Sequence, residues 1–564
     1  MLNTPNINHQ TAITQTSSVT THPKKTEEAK SANQDNSLKE EKYTATIYPD
    51  ETVSVYDKAP VKQEPKTVHT SWFYINDVHG KMTNMERIYN MTKEFDSTPA
   101  NTMAPGFWHD RNIGISKFKV SSGDIILGAN YIHNQVANKF LDWGGFIASA
   151  LGNHELDVAE PGNFAKLLSN AKYKMLAINV DVKQGSPLEG KIQKSMIVEK
   201  DGEKYGLIGI APQDMIKRVK SNDTMKDISV SGDDETIKLV QDEVNKLKEQ
   251  GINKIVVLSH QGTPKDQRLA KETEGIDLIF GAHTHDLIQG LKEGANLLCS
   301  KTGEPVIITQ AGKDGENVGI LNVDFDEKGV IKKAQNNVIS TKNYNRPLFV
   351  KHSVEEYIGK PEVIGKVSEA APPPTQRLIE NNPHGNLIAD AMRSELNTDI
   401  AILNSGNIRG SFSEGPIDTR LISDITPFED KMWIINLSEK QIVDAIKVGL
   451  KSLNSSSNKP GFLLVSGLKY KTNKQGDLLE LQFIDKANHT HNIDVKNPDS
   501  NKKYTVAADD FFSTGGDGYL ESNKNPDFVL QKFDIDKNKL ACDYIKKLNQ
   551  PIEIKNDDRI QIVD

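Results

Sequence analysis

The chain has 564 residues, 36% hydrophobic and 26% charged, with a formal net charge of -8. That length exceeds what one hydrophobic core serves and points to two large domains. No apolar run approaches the ~20 residues of a membrane helix, so no membrane span is expected. Lys and Arg are scattered rather than striped, which disfavours polymeric nucleic acid as a partner.

Residues 1–66 are rich in Thr, Ser, Asn, Gln, Lys and Glu, with no aromatic residue before Tyr43. Such a composition buries too little apolar surface to offset ordering entropy, and it contains no apolar h-region of an export signal. It reads as a disordered tail. From Thr67 short apolar runs alternate with helical patterns, the texture of α/β layering. Strands are predicted at 71–75, 118–121, 146–151, 175–178, 206–210, 254–258, 278–280 and 306–309. Between the fifth and sixth, Ile237, Val240, Val244 and Leu247 share one helical face, acidic residues open the helix and Gly251 stops it. Residues 345–375, ending in Pro372-Pro373-Pro374, read as a stiff linker. Beyond it, helices are predicted at 386–396 and 439–450, and strands at 400–403 and 504–508. The domains are therefore expected at 67–344 and 376–564. Cys299 and Cys542 make no disulfide framework, although one bridge between them stays open.

Five predicted strands run into a residue that could ligate a metal. The sequences that follow them are Asn76-Asp77-Val78-His79-Gly80, Gly123-Asp124, Gly152-Asn153-His154-Glu155-Leu156-Asp157, Ser259-His260-Gln261-Gly262 and Gly281-Ala282-His283-Thr284-His285. In open α/β sheets functional groups gather beyond the carboxyl ends of the strands. Carboxylate, imidazole and amide oxygen together suit Zn²⁺, Mn²⁺ or Fe²⁺ better than soft thiolates would. Two such ions roughly 3.5–4 Å apart can clamp a phosphoryl group and generate hydroxide near neutral pH. Asp124, alone on its strand end, is placed to bridge them. Each piece alone is commonplace. His133, His352, His384, His489 and His491 read as ordinary surface or packing residues.

In this order the five motifs resemble those of calcineurin-like metallophosphoesterases. The second half resembles the 5′-nucleotidase/UDP-sugar hydrolase family, through Gly385-Asn386-Leu387-Ile388-Ala389-Asp390-Ala391, Asn404-Ser405-Gly406-Asn407-Ile408-Arg409-Gly410, Thr426-Pro427-Phe428 and Phe511-Phe512-Ser513-Thr514-Gly515-Gly516-Asp517-Gly518. The resemblance implies an α/β architecture: a four-layer αββα metallophosphoesterase domain followed by an α+β 5′-nucleotidase domain. It implies two divalent ions (Zn, Mn, Fe or Co), one held by Asp77, His79, Asp124 and His285, the other by Asp124, Asn153, His260 and His283. His154 would act on the phosphoryl group or the leaving oxygen, with Asp157 orienting it. Arg377 and Arg409 would grip phosphate, Asn404 and Asp517 would bond the nucleoside, and Phe428 and Phe511 would sandwich the base.

The implied reaction is hydrolysis of nucleoside 5′-monophosphates by in-line attack of metal-bound hydroxide, with a small nucleotide as partner. UDP-sugar pyrophosphatase or 2′,3′-cyclic phosphodiesterase activity is the alternative within this family, and a non-catalytic surface protein the alternative outside it. Family members are usually periplasmic or extracellular. Some departures bear on substrate preference. Pro373 and Asn381 stand where a second arginine is found in some members, Asn407 and Glu429 replace glycines, and Asn382-Pro383-His384 includes a one-residue insertion.

Overall fold

Strand Val68–Ile75 is buried on both faces, and its alternation sorts two different cores. Trp72 and Tyr74 point into a sheet-to-sheet core with Phe118, Leu207, Val256, Leu258 and Phe280. Phe73 and Ile75 point the other way, onto the helices Met82–Ser97 and Tyr131–Gly144. The second sheet repeats the division: Ile208, Ile210, Ile255 and Val257 pack outward against helix Asp233–Glu249, which supplies Val240, Val244 and Leu247. The layers of the first lobe are helix, sheet, sheet, helix.

The structure is a computed structural model that describes residues 45–47, 53–55 and 66–564, apart from 99–102, 104–105, 109–113, 129, 158–160, 216–222, 456–457 and 521–527. Strands Val68–Ile75, Ile115–Ser121, Ala148–Ala150 and Lys174–Leu176 run parallel in a nine-stranded sheet. Glu203–Ile210, Ile255–Ser259, Leu278–Phe280 and Pro305–Thr309 run parallel in a six-stranded one. The second lobe is built on a five-stranded sheet centred on Lys503–Asp509, with smaller sheets of four and three strands and helices Pro383–Glu395, Glu439–Leu450 and Lys537–Leu548 around a single core. No helix among the described residues is long and apolar enough to cross a membrane.

Three expectations change. Most of the predicted tail lies outside the described residues. Its stretches Ala45–Ile47 and Val53–Val55, however, are strands that extend the nine-stranded sheet, the second pairing with Lys333 and Ala334. Their backbones cover the edge that strand Ile331–Ser340 would otherwise expose. The predicted linker is likewise structured and is divided between the lobes. Helix Leu348–Ile358 buries Val350 and Val354 in the first lobe's helical core, and strand Val363–Ala370 pairs with Gly415–Asp418 and Ile552–Ile554. Only after that strand do the three prolines follow. Finally, the sequence reading missed the hairpin Asn317–Phe325 and Ile331–Ser340, whose first strand pairs with Val68–Ile75. Cys299 and Cys542 are both free thiols.

Gly319 faces Tyr74 across that pairing, and a Cβ on it would lie 1.8 Å from the ring. Tyr74 is buried and its hydroxyl donates to Asn336 Oδ1 at 2.8 Å, so the ring is held at both ends. Gly319→Ala should overpack this core and lower stability by about 1–3 kcal/mol or more. A urea titration followed by tryptophan fluorescence checks this; an unmoved midpoint would mean that the ring swings aside freely.

Candidate metal centre and nucleotide site

Parallel strands leave all their carboxyl ends on one edge, so the loops after 75, 121, 150, 259 and 280 meet there. These loops take an uncommon backbone. Asp77, His79, Asp124, His283 and His285 all have positive φ, between 49° and 76°. For residues with a Cβ this left-handed region is disfavoured and concentrates at functional sites. The neighbouring loops enforce it: Asp77 N–H donates to Gly123 O at 3.0 Å, and His79 N–H to Asp124 O at 2.9 Å.

The result is a buried cluster of carboxylates and imidazoles. Ligand atoms of Asp77, His79 and His285 lie within 4.8 Å of one another, as do those of Asp77, Asp124 and His260, and of His79, Asp124 and His154. His260 donates from Nδ1 to the Ser122 carbonyl at 2.6 Å, and His79 Nδ1 meets Asp314 Oδ1 at 2.9 Å. Each ring thereby turns Nε2 inward, where that atom is buried without a hydrogen-bond partner, 3.0 and 3.6 Å respectively from Asp124 Oδ2. Orphaned imidazole nitrogens facing carboxylates fit a divalent cation, with Asp314 and Ser122 as the outer partners that fix ring orientation. The electrostatics agree. Burial works against charge on His79, but Asp124 and Asp314 outweigh it and lift the ring to about 9. Burial likewise opposes charge on His260, yet Asp124 and Asp77 raise it to about 10. The pocket draws positive charge.

Asn153 is buried in the loop beside Asp124. His283 stands next to His260, ring centroids 5.2 Å apart, with Nε2 turned to Asp214 at 3.3–3.4 Å. Its backbone N–H donates to Asp77 at 3.0 Å. His154 Nδ1 donates to Asp157 Oδ2 at 2.7 Å, which leaves Nε2 for the cleft, and its own N–H donates to Asp124 Oδ1 at 2.8 Å.

Three supporting residues escaped the sequence reading. Asp314 holds His79, and Asp214 faces His283. Glu155 accepts from the N–H groups of Gly152, Asp124 and Ile125 at 2.8, 3.0 and 2.8 Å, tying the loops of Asp124 and Asn153 together. Burial and Asp124 raise its carboxyl to about 7. Glu155 sits inside a quoted motif, so a signal existed; Asp314 and Asp214 carry none that spacing reveals.

In the second lobe Arg377 donates to Ile408 O at 3.2 Å and Arg409 to Gly406 O at 2.8 Å. Burial and the nearby Arg409 depress Arg377 to about 9, so the two cations crowd one another. Asn404 Nδ2 donates to Asp517 Oδ2 at 3.0 Å. Phe511 is half-buried, whereas Phe512 is buried against Tyr519, so of the two only Phe511 keeps part of its ring exposed. Phe428 joins the two halves: its ring lies 5.3 Å from the Arg409 guanidinium and 6.3 Å from the His154 ring.

Two face-to-face sheets carrying an aspartate–histidine cluster at their strand ends define a phosphoesterase of the kind that uses divalent metal ions. Residues 73–287 match the calcineurin-like phosphoesterase family and residues 363–522 match the 5′-nucleotidase, C-terminal domain. The chain belongs to the two-domain 5′-nucleotidase family that these define, and it is a hydrolase of phosphoric ester bonds. It is 27% identical to the trifunctional nucleotide phosphoesterase protein YfkN of Bacillus subtilis across 79% of this chain, spanning only 32% of that longer protein. It is 28% identical to the snake venom 5′-nucleotidase of Crotalus adamanteus, covering 75% of this chain and 76% of the other. The fold is like that of the 5′-nucleotidase precursor from Thermus thermophilus: TM-score 0.69, 23% identity, 88% of this chain and all of that one.

Gly152 is the tightest point of the centre. A Cβ there would lie 2.1 Å from Asp124 Oδ1 and 2.7 Å from Glu155 Oε2. Gly152→Ala should displace Asp124 and weaken divalent-metal binding about 10- to 100-fold, the range seen when ligand-orienting groups are lost. Calorimetric titration with Mn²⁺ measures it, with circular dichroism to show that the fold persists.

Proposed function

We propose that this protein hydrolyses nucleoside 5′-monophosphates to nucleoside and phosphate. The observation that carries the proposal is the position of Phe428, an aromatic face from the second lobe standing beside His154 and the acidic cluster of the first. A phosphate at the cluster and a base at an aromatic platform then belong to one ligand, and stacking contributes ~1–3 kcal/mol per base. Asp77, His79, Asp124 and His285 would hold one divalent ion, and Asp124, Asn153, His260 and His283 the other. Their oxygen and nitrogen donors suit Zn²⁺, Mn²⁺, Fe²⁺ or Co²⁺. When bound, such ions neutralise phosphoryl charge and lower the pKa of water.

The chain's own residues do the rest. Asp157 fixes the tautomer of His154 by accepting from Nδ1, so that Nε2 can hydrogen-bond to the phosphoryl group or deliver a proton to the leaving oxygen. The crowded pair Arg377 and Arg409 favours an anion between them, a phosphate that each guanidinium can meet with two donors. Asn404 and Asp517, paired with one another, offer donor and acceptor to a ribose. Phe428 and Phe511 hold the base.

Rates on AMP, UDP-glucose, 2′,3′-cyclic AMP and p-nitrophenyl phosphate, each with Mn²⁺, Zn²⁺, Mg²⁺ and Co²⁺ added, test the reading. AMP should lead, with kcat/KM at least about tenfold above the activated ester, a tenfold being 1.4 kcal/mol of base binding. A faster UDP-glucose or cyclic substrate would overturn it.

Two variants separate roles. His154→Ala should lower kcat by about 10²–10⁴ with metal content intact. Asp124→Ala should lose more than one equivalent of metal by elemental analysis, whereas loss of a single equivalent would remove its bridging role.

A further inference from the structure

Three contacts between the lobes fall on one short stretch of the second, residues 424–429. Lys81 donates to the Asp424 carbonyl. Gly128 lies so close to Pro427 that a Cβ would come within 2.6 Å of the Pro427 carbonyl oxygen. Asn130 Nδ2 donates to Glu429 Oε1 at 2.6 Å. Phe428 is therefore flanked on both sides by residues pressed against the first lobe. From within its own lobe, wholly buried Lys537 donates to the Phe428 carbonyl at 2.6 Å and fixes the backbone that carries the ring.

The first-lobe side of this contact is connected to the reacting end. Gly128 N–H donates to Asp157 Oδ2 at 2.9 Å, the same oxygen that receives His154 Nδ1. Asn130 itself is split between two tasks. Its Oδ1 caps helix Tyr131–Gly144 by accepting from His133 N–H at 2.9 Å, and only its amide group reaches Glu429. Glu429 is half-buried, and a carboxylate so placed needs a donor. Asn130 is that donor.

We propose that Asn130 and Glu429 form a latch across the cleft that seats Phe428 beside His154, and that this latch sets the preference for phosphate esters bearing an aromatic base. Glu429 and Asn130 are positioning residues: neither touches the reacting atoms. The specificity half of the proposal rests on the nucleotidase reading, while the latch is a contact that can be measured without any substrate.

The test uses the full chain and a pair of substitutions. Asn130→Asp keeps an oxygen that caps the helix equally well. It exchanges the amide donor for a carboxylate oxygen facing Glu429, so two like charges meet at hydrogen-bonding range. Adding Glu429→Gln restores a donor–acceptor pair with its direction reversed. At pH 8 the single variant should lose about tenfold in kcat/KM for AMP, chiefly through KM, the scale of one hydrogen bond to a charged group. Its rate on p-nitrophenyl phosphate should stay within about twofold, since that ester does not call on Phe428 through a base. Deuterium exchange of amides 424–432, measured without nucleotide, should quicken. The double variant should return both readouts close to those of the parent. Unchanged exchange in Asn130→Asp overturns the latch, as does a loss on AMP that Glu429→Gln fails to repair. A parent with no preference for AMP over the activated ester removes the nucleotidase reading and the specificity half together, and exchange of 424–432 then decides the latch alone.

Discussion

Everything at this protein's centre depends on holding several carboxylates and imidazoles together out of water. Asp77 and Asp124 are both fully buried, and two like charges in such a place repel unless cations answer them. Burial would lift the Asp77 carboxyl, yet His260 and His285 outweigh it and hold it at about 2. His260, held protonated by Asp124 and Asp77 against its burial, answers the charge until metal does, whereas burial pushes His285 down; binding metal then releases protons. The left-handed backbone at Asp77, His79, Asp124, His283 and His285 is a further local expense of order 1–3 kcal/mol each. Two large sheets and their hydrogen-bonded loops absorb it.

The sequence was most legible where the chemistry is densest. Strand ends at 75, 121, 258 and 280 could be read because apolar runs stop beside a glycine, serine or asparagine close to an aspartate or histidine, and the structure brings Asp77, His79, Asp124, His260 and His285 together. Helix 439–450 was legible from its 3.6-residue period, with Ser438 and Gln441 forming a capping box at its start. The hairpin at 317–340 was not. Asn322, Asn336 and Gln335 interrupt it, and the first two find partners far off in sequence: Ser71 donates to Asn322 Oδ1 and Tyr74 to Asn336 Oδ1. A stretch whose polar groups are paired 251 residues away cannot be recognised locally. The same holds for 345–375, where an exposed, proline-bounded texture conceals a helix and a strand. Leu348 and Phe349 lie exposed on that helix while Val350 and Val354 are buried, a pattern too short to read.

The hydrogen bonds and ion pairs described between the lobes are polar contacts rather than an apolar seam. Glu86, buried on helix Met82–Ser97, is met by Arg346 from the segment between the lobes and by Arg420 from the second lobe at 3.5 Å. Nearby His133 is pushed down to about 4 by burial and by Lys81 and Arg420. Ionic and hydrogen-bonded contacts of this kind can be exchanged for water when a cleft opens, whereas an apolar seam would resist. Contacts of this kind leave room for the lobes to part as substrate enters and product leaves.

The strand Asn317–Phe325 carries a consequence for how the protein is made. It lies at the heart of the nine-stranded sheet, beside Val68–Ile75, and Thr70 donates to a carbonyl 253 residues further along. On a ribosome the first lobe therefore waits, with one side of its central strand unpaired, until residues near 340 have emerged. The second lobe repeats the arrangement, since Ile552–Ile554 and Ile560–Val563 pair with Val363–Ala370 and Leu468–Asn473. Each lobe is thus closed by its own latest strands. Contacts so distant in sequence make folding slow and leave strand edges open to other chains meanwhile. The birth of this enzyme, more than its finished state, is where aggregation and chaperone demand should concentrate.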